Sequence, residues 1–145
     1  MMRSANRRGG RFAVFVGLML AAALAGCRSA PPRTTYPHLV PGVIHQLLRD
    51  SPDTLILDLR TPEEFEGEGG HLPKARNLPL ERLPFRMVEI SSYRNETFIL
   101  YCGDDACGDR GAELLLQSGF ADGLLIDGGF KAWVKEGFRT VRGDR

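Results

Sequence analysis

The sequence predicts an α/β domain in which a parallel sheet carries helices on both faces. Three short, almost continuously apolar runs are typical of strands that are covered on both sides, at Thr54–Leu59, Thr97–Tyr101 and Leu124–Ile126. Segments with helical periodicity separate these runs, and strands that alternate with helices usually pair in parallel through right-handed crossovers. The 145 residues suffice for one such domain with a sizeable core.

The first half of the predicted domain opens with a short edge strand at His38–Val40. A helix follows at Pro41–Arg49, and its apolar residues recur on one face. Beyond the first long strand, Thr61 is expected to cap a short helix, and Glu64 completes a capping box.

The second half contains the central strand and two longer helices. Prolines on either side limit the next strand to a few residues within Ala75–Leu78. We predict a helix at Glu81–Ile90 and a turn at Ser91–Glu96, which leads into the central strand. Apolar residues at helical spacing then predict a helix at Cys107–Ser118, and a last helix is expected at Phe130–Glu136.

Charge is unevenly distributed along the chain. The sequence has 19 Lys and Arg against 18 Asp and Glu, which gives a net charge of +1. Four arginines fall within residues 1–11, which contain no acid, so the remainder carries a net charge of −3. Because nucleic-acid binding requires a clustered basic face, we expect no nucleic-acid partner.

The amino-terminal segment has the features of a secretory signal, with basic residues, a short apolar stretch and small residues at its end. Leu24-Ala25-Gly26-Cys27 resembles the lipobox of bacterial lipoproteins, in which the cysteine is lipidated and becomes the mature N-terminus. We predict a lipoprotein signal peptide at residues 1–26, and a lipidated Cys27 with a flexible tether at residues 27–37. The domain is then anchored in the cell envelope, outside the cytoplasmic membrane and on the periplasmic side in a Gram-negative host. The alternative is an ordinary signal peptide with a chance cysteine.

A cysteine at the end of the central strand is the main candidate for chemistry. Cys102 follows Tyr101 directly, and only small and acidic residues separate it from the next predicted helix. Open α/β sheets build their sites at the carboxyl ends of strands. The unpaired N–H groups of a helix start favour an anion, whether a thiolate or a group attached to its sulfur.

Four motifs in this order resemble the rhodanese, or sulfurtransferase, domain: Asp58–Phe65, Gly70–Asn77, Tyr101–Cys102 and Asp127–Trp133. The resemblance implies a single domain, at residues 38–140, with a five-stranded, mostly parallel sheet and helices on both faces. It also implies that Cys102 takes a sulfane sulfur from a donor as a persulfide and passes it to a nucleophilic acceptor.

The loop from Cys102 to Cys107 is expected to hold the anionic persulfide through converging N–H donors. Candidate substrate-binding residues come from this loop, its end and the neighbouring strand: Gly103, Asp104, Asp105, Ala106, Cys107, Gly108 and Arg60. The loop departs from the family's Cys-x-x-Gly-x-Arg-Ser, since Cys107 stands in place of the arginine and Gly108 in place of the serine. Asp104 and Asp105 add negative charge that repels thiosulfate. We therefore expect a neutral or cationic donor, or the persulfide of a partner protein.

Cys107 lies five residues after Cys102, and three interpretations of it stay open. It fills space as a small buried residue, or it is a resolving thiol that attacks a Cys102 persulfide, releasing sulfide and leaving a disulfide. In the third interpretation the two cysteines form a resting disulfide, which requires Cα atoms within about 7 Å. Disulfides persist outside the cytoplasmic membrane, where we expect the domain to be.

Further polar residues near the predicted crevice have a functional and a structural interpretation. We expect Asp58 to form a structural ion pair, whereas Arg60 either joins that pair or supplies positive charge beside the loop. His71 is expected to be a buried hydrogen-bonding residue rather than a general base, and Trp133 to pack in the core. Arg110 is a weaker candidate for the missing loop arginine.

No cofactor and no metal site are predicted, because Cys102 and Cys107 lack clear third and fourth ligands for zinc. A cysteine-loop phosphatase would need an arginine where Gly108 stands. Three functions remain: an envelope-anchored sulfurtransferase using Cys102, a dithiol redox or persulfide-reducing protein using both cysteines, and a catalytically silent binding module. We expect a monomer whose partner is a small sulfur donor or a partner-protein persulfide.

Overall fold

Strands and helices alternate along residues 35–143, which are the residues that this computed structural model describes. The strands are β1 (His38–Leu39), β2 (Leu55–Asp58), β3 (Arg76–Asn77), β4 (Phe98–Tyr101) and β5 (Gly123–Ile126). The helices are α1 (Pro41–Asp50), α2 (Pro62–Glu66), α3 (Leu83–Arg86), α4 (Asp105–Gln117) and α5 (Gly129–Lys135), and a 3₁₀ helix at Met87–Tyr93 continues α3.

The five strands form one sheet in the order β1-β5-β4-β2-β3, and every pair of neighbours is parallel. This confirms the predicted α/β class with a five-stranded parallel sheet. Asp58 at the end of β2 pairs with Tyr101 at the end of β4 and with Asn77 of β3. The carboxyl ends of these strands therefore lie along one edge of the sheet, and Cys102 follows directly from its central strand.

Helices cover both faces of the sheet, as predicted. Every residue of β2 and β4 is therefore buried. On one face Phe98 and Leu100 of β4 pack with α3, the 3₁₀ helix and α4. On the other face Ile99 and Tyr101 pack with Ile44 of α1 and with α5. Alternate side chains of β4 thus enter two separate apolar clusters, one on each side of the sheet.

Two predicted helix boundaries were wrong. Instead of one helix at Glu81–Ile90, α3 spans a single turn and continues as the 3₁₀ helix to Tyr93, inside the predicted turn. Pro84 sits in the first turn of α3, and the β-branched and serine residues after it favour α-helix only weakly. Helix α4 begins at Asp105, two residues before the predicted start, because Asp104 caps it.

The domain begins earlier than its predicted boundary. Tyr36, which the sequence analysis assigned to the tether, is fully buried; its hydroxyl donates to the carbonyl of Phe120 at 2.7 Å, and its ring packs edge-on against Phe98. The predicted signal peptide and Cys27 lie outside the described residues. Between residues 35 and 143, no helix has the length and apolar character needed to cross a membrane.

Candidate active site

Strand β4 delivers Cys102 to the carboxyl edge of the sheet. Its side chain continues the row of Phe98 and Leu100, so it points toward α4, while Tyr101 points to the opposite face. Cys102 is 4% exposed, and the amino-terminal turn of α4 lies directly after it in the chain. This is the placement that the sequence predicts for the candidate nucleophile.

The connection from β4 to α4 is shorter than the predicted six-residue loop, since only Cys102, Gly103 and Asp104 separate the two elements. Asp104 has an extended backbone and is the N-cap of α4, where its Oδ1 accepts a hydrogen bond from the N–H of Cys107 at 3.0 Å. An N-cap of this type satisfies one of the unpaired donors of a helix start. A carboxylate of the chain itself therefore binds one of the N–H groups that were expected to face the persulfide.

Cys102 and Cys107 form a disulfide, with Cα atoms 5.7 Å apart. This bond agrees with two of the three interpretations of Cys107, the resting disulfide and the resolving thiol, because both leave the two cysteines bonded. Because Cys107 is the third residue of α4, the early start of that helix brings its side chain back toward the end of β4. The early helix start and the disulfide therefore belong to the same local arrangement.

The turn between β5 and α5 packs against the cysteine turn. The N–H of Phe130 donates to the carbonyl of Cys102 at 2.8 Å, and the N–H of Gly128 donates to Oδ1 of Asp105 at 2.7 Å. Gly129 has a φ of +61°, and a Cβ at this position would lie 2.6 Å from the carbonyl oxygen of Cys102. Only glycine fits this close approach, which explains why the Asp-Gly-Gly motif accompanies the cysteine in the sequence.

Acidic groups surround the cysteine turn. Asp104 and Asp105 lie where the sequence places them, and a Cβ added at Gly103 would be 3.8 Å from Oε1 of Glu64. The sequence analysis treated Glu64 only as part of a capping box, which it does form with Thr61. The site therefore has one carboxylate more than predicted, and the electrostatic case against an anionic donor becomes stronger.

Arg60 is held by structural contacts. Its Nη2 donates to Asp58 at 2.6 Å and to the carbonyl of Gly70 at 2.8 Å, and its guanidinium carbon lies 3.6 Å from the ring centre of Phe130. Burial lowers the pKa of Arg60, but the hydrogen bonds and charge interactions with Asp58 and Tyr101 together raise it by more, so the net shift is upward. These contacts match the structural interpretation of Arg60, because its charge is paired with Asp58 rather than with the cysteine turn.

Two other candidates occupy positions consistent with structural roles, and a third lies in solvent. His71 is completely buried, with its Nδ1 2.9 Å from the carbonyl of Leu72 and its ring stacked on Phe65. Trp133 lies in the core with α1 and donates to the carbonyl of Arg139. Arg110 is exposed on α4.

A group that the sequence analysis did not assign lies on the other side of the cysteine turn. His38 is within 4 Å of carboxylate oxygens of Asp105, Asp109 and Asp127. The residues are far apart in the sequence, and the sheet order β1-β5-β4 brings them together. The one signal in the sequence was that Asp127 directly follows a buried parallel strand.

These features define a class of protein: an α/β domain with a disulfide-bonded cysteine at the carboxyl end of its central parallel strand. The description of the family whose model matches residues 41–136 is rhodanese-like domain, and this chain belongs to that family. A sulfurtransferase from Allochromatium vinosum is 35% identical over 98 residues, which cover 68% of this chain and 88% of that protein.

Two further relatives agree with this assignment. The thiosulfate sulfurtransferase GlpE of Pseudoalteromonas translucida is 30% identical over 86 residues, 59% of this chain and 78% of that one. The crystal structure of the Alr3790 protein from Anabaena superposes with a TM-score of 0.63 at 26% identity, over 72% of this chain and 91% of the other. Sulfurtransferases are thus among the proteins that this chain resembles in sequence.

Proposed function

We propose that the protein transfers sulfane sulfur through a persulfide on Cys102. The observation that carries this proposal is the position of Cys102 at the carboxyl end of β4, in a family whose members include sulfurtransferases. The carbonyl of Cys102 is fixed by Phe130, and its side chain points toward α4. A nucleophile is thereby held on a rigid strand end rather than on a long mobile loop.

The reaction starts from the dithiol, so a thiol reductant first opens the disulfide and is itself oxidised. The Cys102 thiolate attacks the sulfane sulfur of the donor, a new S–S bond forms, and the donor leaves with the electron pair of the broken bond. A nucleophilic acceptor then attacks the outer sulfur of the persulfide. Cys102 leaves as a thiolate, and the acceptor keeps the sulfur, so the cycle has no net change in oxidation state.

Charge at the turn selects among donors. Thiosulfate carries two negative charges and would approach Glu64, Asp104 and Asp105, whereas an uncharged donor is not repelled. A persulfide on a partner protein delivers its sulfur without bringing two charges to this turn. We therefore assign the natural donor to the neutral, cationic or protein-bound class.

A sulfur-transfer assay with the reduced protein tests the proposal. Thiosulfate and an uncharged sulfane-sulfur donor are supplied in parallel, and sulfur reaching a small nucleophile is measured for the wild type and for Cys102→Ser. We expect transfer from the uncharged donor, with complete loss in Cys102→Ser. Transfer that persists in Cys102→Ser would overturn the proposal.

A second function is favoured by the disulfide between Cys102 and Cys107. In this scheme the Cys107 thiolate attacks the inner sulfur of a Cys102 persulfide, which forms the disulfide and releases hydrosulfide. An external dithiol then reduces the protein for the next turnover. The net reaction reduces sulfane sulfur to sulfide at the expense of the dithiol.

Cys107→Ser separates the two functions, because only the second requires Cys107. If sulfur transfer is the function, Cys107→Ser retains transfer to an acceptor and releases no more sulfide than the wild type. If persulfide reduction is the function, Cys107→Ser stops sulfide release and accumulates the persulfide. The same assay, with sulfide measured beside the transferred sulfur, gives both results.

We also propose that a lipid on Cys27 anchors the domain in the cell envelope. The support is the sequence Leu24-Ala25-Gly26-Cys27 at the end of a short apolar stretch. Membrane fractionation of the wild type and Cys27→Ser in a bacterial host tests it. We expect the wild type in the membrane fraction with a lipid-modified Cys27 by mass spectrometry, and Cys27→Ser without lipid. An unmodified cysteine in the wild type would contradict the anchor.

A further inference from the structure

A histidine and three aspartates cluster beside the cysteine turn. His38 lies on β1, Asp105 and Asp109 lie on the first turns of α4, and Asp127 follows β5. The parallel register pairs His38 with Leu125, whose side chain belongs to the apolar cluster under α4. The imidazole therefore faces α4, and it is 27% exposed.

Hydrogen bonding fixes the protonation pattern of the His38 ring. Its Nε2 lies 2.8 Å from Oδ1 of Asp109, and an ionised carboxylate can only accept, so Nε2 carries a proton. In the neutral ring, Nδ1 then has a lone pair. It faces Oδ1 of Asp105 at 3.6 Å and Oδ1 of Asp127 at 3.9 Å. Three electron-rich atoms thus converge, and a bound cation would stabilise this arrangement.

The spacing of these atoms is close to that of a metal site. The ligand atoms of His38, Asp105 and Asp127 all lie within 4.8 Å of one another. A tetrahedral ion with bonds of about 2.0–2.1 Å holds its ligand atoms roughly 3.3 Å apart, so side-chain movements of less than an ångström complete the site. The Asp109 carboxylate accepts a hydrogen bond from Nε2, the ring nitrogen that would not bind the metal. Metal-bound histidines usually have a partner of this kind. The Gly128 N–H at 2.7 Å steadies the Asp105 carboxylate in the same way.

We propose that His38, Asp105 and Asp127 bind one divalent transition-metal ion of the Zn²⁺ type. The imidazole ligand favours a first-row transition metal over Mg²⁺ or Ca²⁺, which prefer oxygen ligands alone. Three protein ligands leave a fourth coordination position for water. The sequence analysis considered only the cysteines as ligands, and for that reason it predicted no metal.

The ion has a consequence for chemistry that rests on the proposed sulfur transfer. Asp105 is three residues from Cys102, and a dication bound to it offsets the negative charge of the turn. Loading the site is therefore expected to lower the KM for thiosulfate more than the KM for an uncharged donor. Binding itself does not depend on the cysteines, so it is tested in the disulfide form, where sulfur transfer cannot occur.

The test is calorimetric titration with Zn²⁺ of the full chain carrying Cys27→Ser, with the Cys102–Cys107 disulfide formed. This protein has no free thiol, because the chain contains three cysteines. We expect one ion per chain, with Kd raised at least tenfold in His38→Ala and in Asp127→Asn. Glu113→Gln is the matched control: it removes an exposed α4 carboxylate that interacts with Gln117, and Kd is expected to stay the same.

Two further readouts locate the ion. Co²⁺ in place of Zn²⁺ should give the d–d absorption of a bound ion, and this signal should be lost in His38→Ala. Asp109→Ala should weaken Zn²⁺ binding about tenfold, the usual size for an outer partner, and Asp109→Asn should restore it because the amide oxygen still accepts from Nε2. Absence of saturable binding at about 1 mM Zn²⁺, or the same Kd in all variants, would overturn the site.

Discussion

The carboxylate of Asp104 has two separable effects, capping of α4 and negative charge beside Cys102. It accepts from the N–H of Cys107, and asparagine is as good an N-cap as aspartate. A substitution by asparagine thus removes the charge and keeps the cap, whereas alanine removes both. At the residue scale this pair of variants decides whether charge sets the donor preference.

We expect Asp104→Asn to raise kcat/KM for thiosulfate about fivefold, since removing one charge near a dianion changes their interaction by about 1 kcal/mol. The rate with an uncharged sulfane-sulfur donor should change little, and the gain with thiosulfate should shrink in high salt because ions screen the interaction. Asp104→Ala should give the same kinetic gain but lose about 1 kcal/mol of unfolding free energy. Equal gains with both donors would show that charge is not the cause.

The buried ion pair of Asp58 and Arg60 belongs to the residue scale as well. Asp58→Asn leaves the guanidinium of Arg60 buried without its counter-charge, so we expect a loss of roughly 3–5 kcal/mol in unfolding free energy, measured by urea denaturation. The matched control is Glu89→Gln, which breaks the solvent-exposed pair with Arg86 and should leave the unfolding free energy nearly unchanged. Similar losses in the two variants would mean that Arg60 finds another partner.

At the scale of elements, the amino-terminus of α5 positions the cysteine turn. We expect Gly129→Ala to lower sulfur transfer at least tenfold and to destabilise the fold by more than 2 kcal/mol, because its Cβ would meet the carbonyl of Cys102. Gly137→Ala is the control, since Gly137 also has a positive φ of +76° but no atom within 4 Å of an added Cβ.

Gly137→Ala should lose about 1–2 kcal/mol of unfolding free energy, which is the backbone cost alone, and should keep normal activity. Unfolding free energy and sulfur transfer are measured on both variants. If Gly129→Ala retained full activity, α5 would not be the element that holds Cys102 in place.

At the scale of the whole molecule, Tyr36 belongs to the core of the domain. Tyr36→Ala should cost about 3–5 kcal/mol, as truncations of buried aromatic residues do. Tyr36→Phe keeps the packing against Phe98 and loses only the hydrogen bond to Phe120, so about 1–3 kcal/mol is expected. Thermal unfolding of both variants measures the difference, and a neutral Tyr36→Ala would place the boundary at His38 after all.

Much of this architecture could be predicted because buried parallel strands appear in a sequence as apolar runs. β2, β4 and β5 fall within the predicted runs, and the capping box of Thr61 and Glu64 forms as expected. Local charge patterns were less informative. Asp104 was interpreted only as a charge, so its role as N-cap and the early start of α4 were missed.

Features that depend on distant contacts were beyond the sequence. The proline-rich neighbours of Tyr36 indicated a flexible tether. Its ring contact with Phe98 and its hydrogen bond to the carbonyl of Phe120 show that it belongs to the core. The spacing of Cys102 and Cys107 allowed a disulfide without deciding it, because the outcome depends on where α4 begins. The cluster around His38 required the strand order, which periodicity does not contain.

A persulfide on Cys102 would be seen by intact mass spectrometry of the reduced protein before and after incubation with an uncharged sulfane-sulfur donor. The account predicts a gain of one sulfur atom per chain, which a dithiol removes and which Cys102→Ser does not show. If Cys107 resolves the persulfide, the Cys102–Cys107 disulfide should return in the wild type as the outer sulfur leaves as hydrosulfide, and Cys107→Ser should hold the added sulfur longer. No gain with any donor class, or an equal gain in Cys102→Ser, would contradict the account.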